Sequence, residues 1–259
     1  MIPKVIHYCW FGRNPLPEIV QKCIESWREK MPDYEIKRWD ETNVPYQDFD
    51  FMREAYDAKK YAFVSDQARY LMMKQYGGFF LDTDVEVVKS FDDLRFETCF
   101  FGLEKHVKKN VLYVNPGLIM GAERCCATIE KVFELYCGLH FVINGRLQMQ
   151  YTSPCVLTKY LLENEGLVIE DKCQTLSNGI RVYATDYFDP QIPRAIIHGA
   201  KFDLTENTYT IHHGAASWVP RSHKVFRLLS IFARSVFGDK FVDSFKTKIK
   251  RRDTKSFYC

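Results

Sequence analysis

The first hundred residues switch between two hydrophobic periods. Lys4 to Tyr8 alternates and is rich in β-formers, so it predicts a strand, and the cluster Gly12, Asn14, Pro15, Pro17 then breaks the pattern. A helical period follows over about residues 18–30 and ends at Pro32-Asp33, after which Tyr34 to Trp39 alternates again. A β-loop-α-β opening of this kind predicts an α/β sheet. Tyr56 to Gln75 reads as one helix with Ser65 as an internal N-cap, stopped by Gly77-Gly78 in the left-handed region that glycine tolerates. The short apolar strand Phe79-Phe80-Leu81 runs directly into Asp82-Thr83-Asp84, which delivers two carboxylates to the C-terminal edge of a sheet, where open α/β folds bind ligands. Phe100 to Leu103, Leu118 to Gly121, Ile196 to His198 and Tyr209 to His212 read as further strands, and 126–142 and 152–164 as helices. No internal repeat or low-complexity segment interrupts the series.

Composition narrows the class. With 259 residues, 46% hydrophobic and 15% aromatic, the chain can bury a large core, which suits one catalytic-sized domain over 1–220 and an appendage over 221–259. No apolar run approaches the ~18 to 20 residues that span a bilayer, and the N-terminus lacks the basic and long apolar regions of a signal peptide, so a cytoplasmic protein is expected. Nine cysteines occur without the paired CxxC spacing of a zinc site, and most are expected to be small buried hydrophobes in a reducing compartment. The net charge of +3 conceals an asymmetry: residues 221–259 hold 11 Lys+Arg against 3 Asp+Glu, a net +8, which leaves 25 against 30, a net −5, for residues 1–220.

The carboxylates carry the candidate chemistry. Mn2+ or Mg2+ prefers hard oxygen ligands, and a nucleoside diphosphate brings some of its own, so the protein needs to add only one or two. Asp82 and Asp84, two apart on an extended segment, would point the same way and meet that need. An acidic turn capping local backbone groups is the plain alternative. One helix upstream, Ser65-Asp66-Gln67-Ala68-Arg69-Tyr70 places Asp66 and Arg69 three apart on one helical face, either as a surface ion pair or as a buried pair offering a sugar-hydroxyl acceptor and a phosphate or sugar ligand.

In order along the chain, IPKVIHYCWFG, SDQARYLMMKQYGGFFLDTDVEV, YTSP and HHGAASW resemble the DxD-containing glycosyltransferase family 32 over roughly residues 1–220. That family includes bacterial capsular-polysaccharide transferases and yeast mannosyltransferases and is similar in its core motifs to the glucosylating domain of large clostridial toxins. The resemblance implies a GT-A fold, Rossmann-like and nucleotide-sugar-binding, a metal-dependent reaction, and transfer with retention at the anomeric carbon. It further implies that Asp84 ligates Mn2+ or Mg2+, that Asp82 touches ribose or sugar hydroxyls, that Asp66 holds sugar hydroxyls, and that Arg69 reaches sugar or diphosphate. Trp10 matches a position where an aromatic ring stacks on the base, although a large aromatic after a strand is equally a core residue. In Thr210 to Trp218, His212 is the first choice and His213 the second for a nitrogen ligand, and Ser217 and Trp218 lie on a small-residue loop that would close over the diphosphate. Asn115 falls where the family has an acceptor-side asparagine. Thr152-Ser153-Pro154 falls where it has a T-G-P-like turn, with serine in place of glycine. No residue announces itself as a nucleophile; Glu86 is near the motif, but strand alternation could as easily keep it solvated, and the nucleophile is left unassigned.

In the tail, Val225, Leu228, Leu229, Phe232 and Val236 form one helical stripe with Lys224, Arg227 and Arg234 off it, and Lys246 to Arg252 is a basic cluster. A basic amphipathic helix of this kind suits an anionic membrane surface through residues 221–252, which would bring the enzyme to a lipid-linked oligosaccharide in cell-surface polysaccharide or capsule assembly. The donor is expected to be a nucleotide sugar, with UDP favoured, and the acceptor a saccharide hydroxyl. A metal-dependent phosphohydrolase or nucleotidyltransferase using the paired aspartates is the competing reading. A nucleic-acid partner is not expected, because the −5 of residues 1–220 opposes an extended phosphate footprint.

Overall fold

The computed structural model describes residues 1–106, 111–190 and 204–214, and Met1–Gly214 form one compact unit. Ser217, Trp218, the strand expected over Ile196–His198 and the whole basic segment 221–259 lie outside the described residues. In chain order the elements are β1 (Val5–Cys9), α1 (Glu18–Lys30), β2 (Glu35–Trp39), α2 (Asp50–Asp57), α3 (Tyr61–Tyr76), β3 (Gly78–Phe80), β4 (Val85–Val87), β5 (Cys99–His106), β6 (Val111–Ala122), α4 (Ala127–Cys137), the hairpin β7 (Val142–Ile143) and β8 (Arg146–Leu147), α5 (Ser153–Asn164), β9 (Gln174–Thr175), β10 (Ile180–Tyr183), α6 (Thr185–Phe188) and β11 (Thr210–His212).

Seven strands form the central sheet in the order β2-β1-β3-β6-β5-β10-β9. β2, β1 and β3 are mutually parallel, as are β5 and β10, whereas β6 runs antiparallel to both β3 and β5. The fold is the expected α/β class, with a Rossmann-like parallel half. Strand alternation sorts the side chains between two faces: Phe79 and Phe100 join the cluster under α1, while their neighbours Phe80 and Phe101 join the cluster under α2, α3, α4 and α5. Among the described residues no helix is long and apolar enough to cross a membrane.

The helix expected over Tyr56–Gln75 is two helices. Lys59, at φ 56°, interrupts it, and the Ala58 N–H closes α2 onto Glu54 O. Ser65 lies inside α3 and donates its hydroxyl back to Tyr61 O at 3.3 Å, so it is not a cap. The stop at Gly77 holds, but with φ 62° and ψ −161° rather than in the left-handed helical region. No Cβ fits at Gly77, since it would lie 2.8 Å from Arg124 N and 2.9 Å from Ala122 O. The helix expected over 126–142 ends at Cys137. Of the cysteines, Cys9, Cys23 and Cys99 are buried, Cys126 and Cys173 partly so, and Cys125 and Cys137 are exposed, a more even spread than expected.

α3 is buried on nearly every side, including Phe63, Val64, Asp66, Gln67, Ala68, Arg69, Tyr70, Met72 and Met73. A helix enclosed by neighbours all round carries its polar residues into the interior with it. Its C-terminal turn is pinned by His7 of β1, which is wholly buried. The Trp39 indole N–H donates to His7 Nδ1 at 3.0 Å, so Nε2 carries the proton and donates to Gly77 O at 2.9 Å. One neutral imidazole therefore ties β1, β2 and the α3–β3 turn together.

Burial depresses the His7 imidazole from its ordinary 6.5 to about 4, against the pull of Gly77 O. Between those values the unfolded chain binds more protons than the folded one, so stability falls as pH drops through that window. We expect His7 to account for about 2 kcal/mol of loss by pH 5 relative to pH 8. Urea unfolding of wild type and His7→Gln across pH 8 to 4.5 checks this; a stability difference independent of pH would refute it.

Candidate functional site

The site forms where the parallel strands end. Leu81 N–H donates to His7 O at 3.1 Å, extending the β1–β3 ladder by one residue, and Asp82 and Trp10 then leave the sheet at the same edge. Asp82-Thr83-Asp84 is not the extended segment expected but a turn, closed by Val85 N–H onto Asp82 O at 3.2 Å. Its two carboxylates accordingly part company, Asp82 turning to Arg69 and Asp84 to His212.

Arg69 is buried with its guanidinium 4.7 Å from the centre of the Phe80 ring. Nε donates to Ser65 O at 3.2 Å, which fixes the planar group, and Nη2 reaches Asp66 Oδ1 at 3.0 Å and Asp82 Oδ1 at 3.2 Å. The i,i+3 pair of α3 is thus an interior cluster and not a surface ion pair. Burial pushes the Asp66 carboxyl up to about 7; Arg69 pulls it down, Asp82 pushes it further up, and the Ser153 backbone N–H at the start of α5 stabilises the charged form. Burial works against the Arg69 charge, but Asp82 and Asp66 outweigh it and hold the guanidinium protonated. Behind Asp66, the Ser153 hydroxyl is within 2.8 Å of the Tyr70 hydroxyl. The serine at the T-G-P-like position is therefore part of a buried network at the N-terminus of α5, with Thr152 as the N-cap residue.

β6 supplies the opposite wall through an irregularity. Its register with β5 runs from Phe101↔Met120 to Gly102↔Asn115, so residues 116–119 loop out of the ladder. Gly117 O accepts from Asp82 N–H at 2.8 Å, and a Cβ at Gly117 would sit 2.1 Å from Asp82 Oδ2. Only glycine leaves room for that carboxylate. Asn115 is buried, its Oδ1 accepting from Gly117 N–H at 2.8 Å and its Nδ2 donating to Glu104 Oε2 at 2.9 Å.

β11 brings the histidines in by pairing antiparallel with β4, His212 opposite Val85. Alternation then separates the two rings. His212 Nε2 lies 3.5 Å from Asp84 Oδ1, and His212 Nδ1 lies 3.9 Å from Glu104 Oε1. His213 instead faces Glu86, Nε2 to Oε2 at 2.8 Å, while its backbone N–H donates to Asp84 O at 3.0 Å. Glu86 is therefore paired with His213 while remaining partly exposed. Burial alone would lower the His212 imidazole, but Asp84, Glu104 and Asp82 outweigh it and raise it to about 9. Among the described residues no group of three or more His, Cys, Asp or Glu has the geometry of a complete metal cage. A carboxylate and an imidazole facing each other do fit a divalent ion of the Mn2+ kind, whose remaining ligands would be diphosphate oxygens and water.

Trp10 is half-buried, with its indole N–H donating to Asn14 O at 2.7 Å, so it is not a closed core residue. Asp66, Arg69, Asp82, Asn115, Asp84 and His212 are linked by the contacts above; Ser217 and Trp218 lie outside the described residues. Glu104, Gly117 and Ser153 join the network without having been singled out as ligand-contacting residues. The available signal was faint: a carboxylate ending the apolar run Phe100–Leu103, and a glycine and a serine in segments that read as ordinary turns.

Residues 17–101 match the family of glycosyltransferase sugar-binding regions containing a DXD motif, and Asp82-Thr83-Asp84 lies inside the match. Among curated proteins the chain is similar to inositol phosphoceramide mannosyltransferase 3 of Schizosaccharomyces pombe, 34% identical over 97 residues covering 36% of this chain and 27% of that protein. It is also similar to inositol phosphoceramide mannosyltransferase 1 of the same organism, 30% identical over 110 residues, 38% of this chain and 33% of that protein. The chain thus spans a third or less of the curated relatives it matches. Among solved structures it is similar to the PaToxG glycosyltransferase, at TM-score 0.46 and 20% identity over 62% of this chain and 69% of that one. A second is the galactosyltransferase LgtC with donor and acceptor sugar analogues, at TM-score 0.44 and 13% identity over 82% and 88%.

Removing Arg69 would leave Asp66 and Asp82 facing each other without a cation. The buried Asp66 would then favour protonation still more in the folded state, and a folded-state pKa above the unfolded one gives stability that is present at low pH and lost as pH rises. Arg69→Met is expected to cost about 3 kcal/mol at pH 8 and clearly less at pH 5. Urea unfolding at the two pH values measures it, and an equal loss at both would contradict the charge assignment.

Proposed function

We propose that the chain is a metal-dependent glycosyltransferase that moves a sugar from a nucleotide-sugar donor, a UDP-sugar by preference, to a hydroxyl of a saccharide acceptor with retention at the anomeric carbon. The observation that carries this reading is the meeting of two unlike sites at one sheet edge. An Asp66–Arg69–Asp82 cluster, buried at Asp66 and Arg69 and partly exposed at Asp82, offers fixed hydrogen-bonding groups to a sugar, and next to it the Asp84–His212 pair offers a mixed oxygen and nitrogen seat for a cation. The match over residues 17–101 to a sugar-binding region supports the same division of labour.

Each residue has a role that follows from its contacts. Asp82 is oriented by Arg69 and Gly117, so its free lone pairs face the open edge, where ribose or sugar hydroxyls would donate to it. Asp66 accepts sugar hydroxyls while Arg69, held in plane by Ser65 O and Phe80, keeps it from drifting and presents positive charge to the leaving diphosphate. Trp10, leaving β1 at the same edge, offers a ring to the base. Asn115 faces the acceptor side, and Ser217 and Trp218 would close over the diphosphate. A divalent ion held by Asp84 and His212 would supply electrophilic stabilisation of the negative charge that grows on the departing nucleotide. Among the described residues no side chain stands out as a covalent nucleophile, and same-face attack by the acceptor hydroxyl is the simpler route to retention. A phosphohydrolase or nucleotidyltransferase would also use paired carboxylates, but it gives no reason for the sugar-binding-region match.

The acceptor we propose is lipid-borne. The curated relatives are named for mannosyl transfer to inositol phosphoceramide, a lipid, and residues 221–252 of this chain have the composition of a basic amphipathic helix. Together these support action at the cytoplasmic face of a membrane during cell-surface polysaccharide assembly, with no nucleic-acid partner.

Incubation with UDP- and GDP-sugars should release the nucleoside diphosphate from one donor in the presence of Mn2+. EDTA should abolish release, and Asp84→Asn should lower it by roughly a hundredfold or more. Release of inorganic phosphate or pyrophosphate without sugar would instead sink the glycosyltransferase reading. For the membrane, the full chain should float with anionic vesicles while a chain ending at Pro220 stays in solution, and equal behaviour of the two would remove the tail from the proposal.

A further inference from the structure

Glu104 has no role in the assignments above, yet it touches two of the residues they use. We propose that Glu104 is a positioning residue that sets the His212 ring and the Asn115 amide together, so that the cation seat and the acceptor side are held in one geometry. The inference rests on the reading that Asp84 and His212 hold a divalent cation.

The case begins with what a carboxylate can do. It only accepts hydrogen bonds, so the Asn115 group 2.9 Å from Glu104 Oε2 must be the amide NH2. That fixes the orientation of the amide and sends Oδ1 to the Gly117 N–H at 2.8 Å, the glycine that also carries Asp82 on its carbonyl. The other Glu104 oxygen, Oε1, is 3.9 Å from His212 Nδ1, longer than a hydrogen bond by about 1 Å but close enough for the carboxylate to act electrostatically on the ring. A carboxylate beside Nδ1 favours a proton on that nitrogen, so Nε2, 3.5 Å from Asp84 Oδ1, is the ring position a cation would take. A cation entering there would displace the proton that Nε2 shares with Asp84, which passes to solvent, while Nδ1 keeps its own proton toward Glu104. Glu104 thereby orients the ring for the Asp84–His212 cation seat, as carboxylates behind ligating histidines do in metal sites generally.

The fold makes this reach possible. In the β5–β6 ladder Glu104 stands opposite Tyr113 and Asn115 opposite Gly102, just beyond the point where residues 116–119 leave the register. His212 comes from β11, in a different sheet with β4. Glu104 is thus one side chain that reaches from the central sheet to the β4–β11 ribbon at the site.

The test is a double-mutant cycle on cation affinity. Mn2+ is titrated into the full chain with saturating UDP, free Mn2+ being read by its EPR signal, for wild type, Glu104→Gln, His212→Ala and the pair. Glu104→Gln should weaken Mn2+ binding by roughly tenfold or more. The same change in the His212→Ala background should add less than twofold, because Glu104 acts through the ring. Losses that multiply independently, or Glu104→Gln binding Mn2+ like wild type, would overturn the inference while leaving the glycosyltransferase reading standing. Wild type that binds no Mn2+ would overturn the cation reading and this inference with it. If Glu104→Gln shows no cooperative thermal unfolding, Glu104→Asp replaces it; the shorter carboxylate draws back from both partners, and weakening in the same direction is expected.

Discussion

The arrangement of the site depends on one buried guanidinium. Arg69 bridges Asp66 of its own helix and Asp82 at the end of β3, and without it the buried Asp66 would face a second carboxylate with no cation beside it. Its own burial is tolerated because both partners are anionic and because the flat face of the group rests on Phe80. Burial pushes the Asp66 carboxyl up to about 7, and Arg69 is the group that opposes that shift.

Around that bridge, backbone geometry does the placing. Parallel β1 and β3 bring Trp10 and Asp82 to one edge, the irregular stretch of β6 brings Gly117 against the Asp82 carboxylate, and the β4–β11 ribbon sets His212 beside Asp84. In each placement the partner brought to the Asp82–Asp84 turn comes from a distant part of the chain. Their common requirement is close approach: at Gly117 a single methyl group would collide with the carboxylate, and at Gly77 with the backbone of residues 122–124. The neutral His7 pins the turn between α3 and β3, so the helix bearing Arg69 and the strand bearing Asp82 keep a fixed offset.

Local periodicity read the regular elements well and the breaks badly. β1, α1, β2 and α5 fall within about a residue of expectation, because each has a clean hydrophobic period and a Pro or polar boundary. The split between α2 and α3 was hidden, since Lys59 adopts a positive φ that nothing in Ala58-Lys59-Lys60 advertises. At Asp82-Thr83-Asp84 the extended reading gave way to the turn that was its plain alternative, because an apolar strand running into a DxD reads equally as continued extension. Asn-Pro-Gly, which reads as a simple turn, is instead the start of the looped stretch within β6.

From the sequence alone came the α/β class, the candidate carboxylates at a strand end, the Asp66–Arg69 pair on one helical face and the resemblance to a sugar-transferring family. These are properties of spacing along the chain, and a local pattern carries them. Tertiary structure alone decided that the pair is interior and bridged to Asp82, that His212 rather than His213 faces Asp84, and that Glu104 stands behind both His212 and Asn115. Those outcomes depend on strand register and on one irregularity between distant strands, and a one-residue slip in either would have sent the opposite side chains inward.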